Sequence, residues 1–115
     1  MSFKINSIEK ENIGVITVEG EVDMFTSPNL REKLVPLFDK GVKGIIVDLK
    51  GVSFMDSSGI ATMVEGLQWS KKDGRAFILT GIGDTVMNAL SLTKLETVFN
   101  IQDDKVNAFN ELSNS

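Results

Sequence analysis

The chain has 115 residues and a formal net charge of −4, with no cysteine and no histidine. That length suits one hydrophobic core in a single domain over residues 1–115, and the missing residue types exclude disulfides, thiolate or histidine zinc sites, a Ser-His-Asp triad and a Cys-His pair. Acidic and basic residues are mixed along the chain, so there is no basic nucleic-acid footprint, and no apolar run approaches the roughly 20 residues of a membrane helix. Met1-Ser2-Phe3-Lys4 lacks the apolar stretch of a signal peptide. A cytoplasmic protein without metal or cofactor is the expectation.

Residues 3–9 alternate imperfectly, and 13–19 are apolar on both faces; the polar turn Lys10-Glu11-Asn12 between them predicts a hairpin whose second strand is central. Residues 20–26 read as a loop. Ser27-Pro28 reads as a helix start, with Ser27 as N-cap and Pro28 in the first turn. Leu30, Leu34, Leu37 and Phe38 form its apolar face, Pro36 predicts a kink or early end, and Gly41 is the stop. A buried strand follows over 45–49.

After Ser53-Phe54-Met55 comes Asp56-Ser57-Ser58-Gly59, and then Ile60, Met63, Val64 and Leu67 recur at helical spacing as far as Lys71-Lys72 and Gly74. The four-residue group therefore sits where a strand gives way to a helix, a place that favours side-chain oxygens and negative charge. Another strand reads over 76–80. Gly81-Ile82-Gly83 is a tight turn; a lone Gly-x-Gly with no following Gly or Lys-Ser/Thr is too little for a phosphate loop. Asp84 caps a short helix with Val86 and Leu90 inward, 97–101 is a last strand, and Asp103 caps a final helix with Val106, Phe109 and Leu112 inward, frayed from 110 to 115. The sum is α/β: a mixed sheet of four to five strands packed with about four helices, its crossovers right-handed.

Val47-Asp48-Leu49 followed by Phe54-Met55-Asp56-Ser57-Ser58-Gly59-Ile60 resembles the signature of the STAS domain family, and within it the small bacterial anti-sigma factor antagonists. The resemblance spans nearly the whole chain, strongest over 45–67 and weakest beyond 100. It implies a single STAS-like domain without enzymatic activity. It also implies that Ser57 is phosphorylated by the anti-sigma factor, itself a serine kinase, and that a separate serine phosphatase reverses the modification. The unphosphorylated form would bind the anti-sigma factor and free the sigma factor.

From the residues alone, Ser57 is a nucleophile, an N-cap or a phosphate acceptor, and the cap is the simplest of the three. Ser58 reads as a cap or packing residue, Asp56 as a cap, base or metal ligand, and Gly59 as a point of close approach. Asp23 forms an Asx turn, or, by the resemblance, belongs to the Gly-x-x-Asp loop beside the acceptor serine. Met24, Phe25, Phe54, Met55 and Ile82 are placed on loops at one end of the sheet, where those left exposed make an apolar docking patch. Trp69 lies opposite Ile60 on its helix, with Thr62 and Glu65 for neighbours. There it is either an exposed partner anchor or covered by a loop or the final helix. The expected partner surface thus comprises Asp23, Met24, Phe25, Asp56, Ser57, Ser58, Gly59 and Trp69.

A phosphate on Ser57 would be held by the helix N-terminus with little refolding, so the switch would act across the interface. Other readings are a STAS subunit of a stress-signalling or lipid-transport complex and a receiver domain phosphorylated on aspartate, although the first strands carry no acidic pair. A serine hydrolase would have to work without histidine.

Overall fold

The computed structural model describes residues 3–114. Its elements are β1 (Lys4–Lys10), β2 (Ile13–Val22), α1 (Ser27–Lys40), β3 (Gly44–Met55), α2 (Ser57–Asp73), β4 (Ala76–Thr80), α3 (Asp84–Leu92), β5 (Asn100–Gln102) and α4 (Lys105–Ser113). The strands form one sheet in the order β1-β2-β3-β4-β5. The β1–β2 hairpin is antiparallel, and β2 through β5 are parallel neighbours. The mixed α/β sheet read from the sequence is therefore the observed one.

Strand alternation separates two cores. Ile16, Val18, Ile45, Val47, Phe77 and Leu79 turn to one face, where Leu30, Leu34, Leu37, Ile60, Met63, Leu67, Val86 and Leu90 bury the apolar stripes of α1, α2 and α3. All three crossover helices share this face, as right-handed crossovers between strands added in one direction require. Ile13, Val15, Ile46 and Ile78 turn to the other face, where α4 presses Ala108 and Leu112 onto them.

Several boundaries differ from the sequence reading. Residues 20–22 are strand, and β3 runs on through Met55, because residues beyond Asp48 keep pairing with β2 as far as Val22↔Met55. The register shifts between Thr17 and Glu19 and again between Gly20 and Glu21, each time with one extra residue on β3. Such bulges bend and twist a strand. β4 stops at Thr80, opposite Asp48, so β2 and β3 continue alone as a two-stranded ribbon.

Helix α1 passes through Pro36 to Lys40 without an early end, then stops at left-handed Gly41. Gly74 ends α2 in the same way. Residues 97 and 98 lie in a turn ahead of β5, which begins only at Asn100. In α4, Ala108 and Leu112 point inward, Phe109 is half-buried and Val106 is exposed. Helix α4 lies close enough to the sheet that a Cβ on Gly44 would sit 2.8 Å from Leu112, so the glycine makes room for that leucine. Helix α4 runs to Ser113 through the stretch read as frayed from 110, and Ser115 lies outside the described residues. Among the described residues no helix is long and apolar enough to cross a membrane.

Candidate functional site

The ribbon delivers Met55 to the start of α2. The Asp56 N–H donates to the Val22 carbonyl at 3.0 Å, which fixes the turn from strand to helix against β2. The N-cap is Asp56, not Ser57. Its Oδ1 accepts from the Ser58 N–H at 2.9 Å and the Gly59 N–H at 3.3 Å, and from the Ser58 hydroxyl at 2.6 Å. The carboxyl is held below its ordinary pKa, first by the Ser58 hydroxyl; burial opposes this, and the Gly59, Ser58 and Met24 N–H groups add to it.

Ser57 follows as the first residue of the helix, exposed, and no hydrogen bond among the described residues holds its hydroxyl. Ser58 is instead tied to Asp56 through its own hydroxyl. Gly59 is buried, and a Cβ there would lie 2.6 Å from Met55 Cγ and 2.7 Å from Val22 Cγ1. The close approach expected at this glycine is real, but it is to side chains rather than to a neighbouring backbone.

The loop before α1 comes to the same place through Met24, whose N–H faces Asp56. Asp23 builds an Asx turn: its Oδ1 accepts from Phe25 N–H at 2.9 Å and Thr26 N–H at 3.0 Å. Thr26 locks the turn from the other side. Its hydroxyl donates to the Glu21 carbonyl at 2.8 Å and accepts from the Asp23 N–H at 2.9 Å. Thr26 rather than Ser27 occupies the N-cap position of α1, without a side-chain cap. The sequence reading missed Thr26, although Asp-x-x-Thr ahead of a helix is a recognisable pattern for such a turn.

This locked turn holds Met24 and Phe25 outward, at 66% and 80% exposure, and Phe54 on the ribbon is 42% exposed. Met55 is buried, and Ile82 packs against the main core. Phe54 and Met55 belong to β3 rather than to a loop, and the turn at Gly81 lies against Asp48 and Lys50. The five apolar residues therefore do not form one patch; Met24, Phe25 and Phe54 are the exposed ones.

Trp69 lies some 18 Å along α2 from Ser57 at helical rise. It is half-buried between helices, its ring edge-on to Phe38 at 5.3 Å, with the Arg31 guanidinium 5.7 Å from its centroid. The cover is α1, neither a loop nor the final helix. Thr62, expected on an exposed face, is buried and donates to the Ser58 carbonyl, while Glu65 pairs with Arg31 at 3.1 Å. The other side of the tryptophan lines an open groove of about 270 Å³ with Val35 and Phe38.

Two further helix starts resolve one residue away from their expected caps. Asp104, not Asp103, caps α4 by accepting from the Asn107 N–H, and Gly83 rather than Asp84 precedes α3. Among the described residues no acidic cluster has the geometry of a metal site. Asp48, on β3 opposite Thr80, is buried; it accepts from the Thr80 hydroxyl and the Lys50 N–H and pairs with Lys105 at 3.6 Å.

The sequence matches the STAS domain family over residues 4–108. This chain belongs to the STAS domain family. The anti-sigma-B factor antagonist of Bacillus subtilis (strain 168) is a STAS relative 32% identical over 101 residues, covering 88% of this chain and 92% of that protein. That of Staphylococcus aureus (strain NCTC 8325 / PS 47) is 27% identical over 103 residues, covering 90% and 95%. Among solved STAS folds, an anti-sigma factor antagonist from Mycobacterium paratuberculosis superposes with a TM-score of 0.85 at 22% identity, over 96% of this chain and 93% of that one. The anti-sigma factor antagonist SpoIIAA in its unphosphorylated form gives 0.83 at 22% identity, over 99% and 98%. The Bacillus cell fate determinant SpoIIAA in its phosphorylated form gives 0.76 at 21% identity, over 96% and 99%. At these identities the structural likeness establishes the STAS fold.

Asp56 is the residue on which the site's geometry converges, and its loss is measurable. Asp56→Ala should cost about 0.5–2 kcal/mol at neutral pH, the range for a lost N-cap. Because the folded-state pKa is depressed, the cap's electrostatic share is complete above the unfolded carboxyl value of about 3.9 and is lost as pH falls from there through the folded value. Denaturant unfolding between neutral and acid pH should therefore show a shallower acid slope in Asp56→Ala than in the parent. Equal slopes would mean that Asp56 contributes nothing to acid sensitivity.

Proposed function

We propose that this STAS domain is an anti-sigma factor antagonist that works by exchange of partners in the cytoplasm. Unphosphorylated, it binds a serine-kinase anti-sigma factor and so releases the sigma factor. Phosphorylation of Ser57 by that kinase ends the interaction, and a serine phosphatase restores it. The chain itself performs no catalysis; the kinase brings ATP and Mg²⁺.

The observation that carries this reading is the contrast between two adjacent serines. Ser57 presents an unengaged hydroxyl at the mouth of a helix, whereas Ser58 donates its proton to Asp56. A kinase needs a hydroxyl that it can align and deprotonate, and only Ser57 offers one without breaking the cap. Asp23, Asp56 and Gly59 act as scaffold for it: they hold the loop and the helix start together. Met24, Phe25 and Phe54 supply apolar area at the rim, of the kind that anchors a partner. Trp69 lies apart from them, about 18 Å along α2 from Ser57, against α1. The names of the two relatives support the same assignment. A receiver function is disfavoured, because Asp48 is buried and fully engaged.

Incubation with the cognate anti-sigma kinase and ATP, followed by mapping of the phosphate by mass spectrometry, should find Ser57 alone modified. Ser57→Ala should abolish labelling and leave the fold unchanged, since Ser57 makes no cap. Phosphate on Ser58 with Ser57 untouched would overturn the assignment.

A further inference from the structure

α4 covers only part of its sheet face. It packs on Ile13, Ile46 and Ile78, and leaves the β1–β2 hairpin open beside it. The result is a groove of about 310 Å³ with Ile8 and Val15 on its floor, Val106 and Phe109 on the α4 wall, and Lys10 and Lys105 at its edges. Ile8 and Val106 are 57% and 62% exposed. The groove lies on the opposite face of the sheet from α2.

We infer that this groove binds an acidic amphipathic helix of a partner protein, lying beside α4 across β1 and β2. The width fits: two strands span about 10 Å, the diameter of one helix. The charge fits as well. In a chain of net charge −4, the groove is lined by two lysines and no exposed carboxylate. Lys105 is partly offset from beneath by Asp48, whereas Lys10 has no carboxylate partner among the described residues and sits 6.0 Å from the centroid of the Phe109 ring.

Other occupants fit less well. Small-molecule sites enclose most of their ligand, and this groove is open along its length. A second copy that offered its own α4 would bring the polar, exposed Asn107, Asn110 and Glu111. A lipid surface would need the apolar residues to protrude, and they line a concavity.

The probe is a blocked peptide of about four helical turns, with leucines at i, i+3, i+4 and i+7 and glutamates flanking them; a second peptide carries lysines in place of the glutamates. Backbone amide shifts of the full chain should move saturably at Ile8, Val15, Val106 and Phe109 with the glutamate peptide, and the lysine peptide should bind at least about tenfold more weakly. Lys10→Glu should reverse that preference, and Val106→Asp should abolish binding by both peptides. Both positions are exposed, and an unchanged thermal melt would verify the fold. The assignment is overturned by equal binding of the two peptides or by no saturable binding. It is equally overturned if these residues respond only to anionic vesicles, or if sedimentation shows that the groove instead joins two copies of the chain.

Discussion

Phosphorylated Ser57 should bind the anti-sigma factor at least about a hundredfold more weakly than the unmodified chain, about 2.7 kcal/mol or more. The modification places about −1.5 to −2 charges among the exposed apolar groups Met24, Phe25 and Phe54, where an interface must exclude water. The fold itself should barely respond. Helix N-termini favour a phosphate by about 0.3–1 kcal/mol, but here the Ser58 and Gly59 N–H groups are already engaged by Asp56. The new dianion therefore gains the field of the helix while meeting a carboxylate one residue away, and the two effects oppose each other. Thermal stability should stay nearly level, rather than rise as a free helix N-terminus would imply. Backbone amide shifts should be confined to residues 23–26 and 54–60. Ser57→Asp should reproduce only part of the affinity loss, because one carboxylate carries less charge and a different shape. Titration calorimetry and amide shifts on both forms test this account; shifts spread through β4, β5 and α4 would mean a conformational switch instead.

Gly59→Val should be the most destabilising single substitution near the site. Even the first added carbon would stand 2.6 Å from Met55 Cγ and 2.7 Å from Val22 Cγ1, inside van der Waals contact. Val22 and Met55 are themselves buried, so neither can swing into solvent to make room. Overpacking of this kind costs about 1–3 kcal/mol, and valine adds two further methyl groups to the same space. The expected fall in Tm is roughly 4 °C or more for each kcal/mol. Relief of the clash would lift the helix start from the ribbon, moving Ser57 away from the Met24–Phe25 turn, so partner binding should drop along with stability. Gly83→Ala is the control: beyond its chain neighbours no atom lies within 4 Å of its added carbon, so it brings no clash and should cost only the roughly 0.5–1 kcal/mol of a poorer N-cap on α3. A Gly59→Val protein as stable as that control would show that the ribbon yields more easily than its burial implies.

The junction of β3 and α2 was legible because two strong periodicities meet there, an apolar run and an i, i+3, i+4, i+7 stripe. The glycine stops at 41 and 74 were legible for the same kind of reason, since left-handed backbone strongly favours glycine. The ribbon was not. Lys50-Gly51-Val52-Ser53 looks like a loop because it pairs on one side only, and the two bulges break the period of two on which strand recognition rests. Caps shifted by a residue wherever neighbouring residues could both accept a hydrogen bond: Thr26-Ser27, Asp56-Ser57 and Asp103-Asp104. At the site itself, the bond from the Asp56 N–H to Val22 settles the choice, and Val22 is remote in sequence. Trp69 eluded a helical wheel because α2 has the sheet beneath it and α1 alongside, so the side opposite Ile60 is not the solvent side. In α4, bulk favoured Val106 over Ala108, but Ala108 lies one turn before Leu112 on the face turned to the sheet and Val106 does not.

Beyond Asp48, β3 has a strand partner only in β2, and β1 pairs with β2 no further than Glu19. The end of the ribbon is therefore held by a single hydrogen-bond ladder together with the buried side chains of Val22, Val52 and Met55. Its amides should exchange with deuterated solvent through openings that release both, sooner than those of Ile45, Ile46 and Val47, which have strands on both sides. A protein seated on the Met24–Phe25 turn and the start of α2 would close that route. Deuterium uptake over residues 52–58 would then report occupancy of the site directly, with no label attached, and would distinguish a bound partner from one merely present in solution.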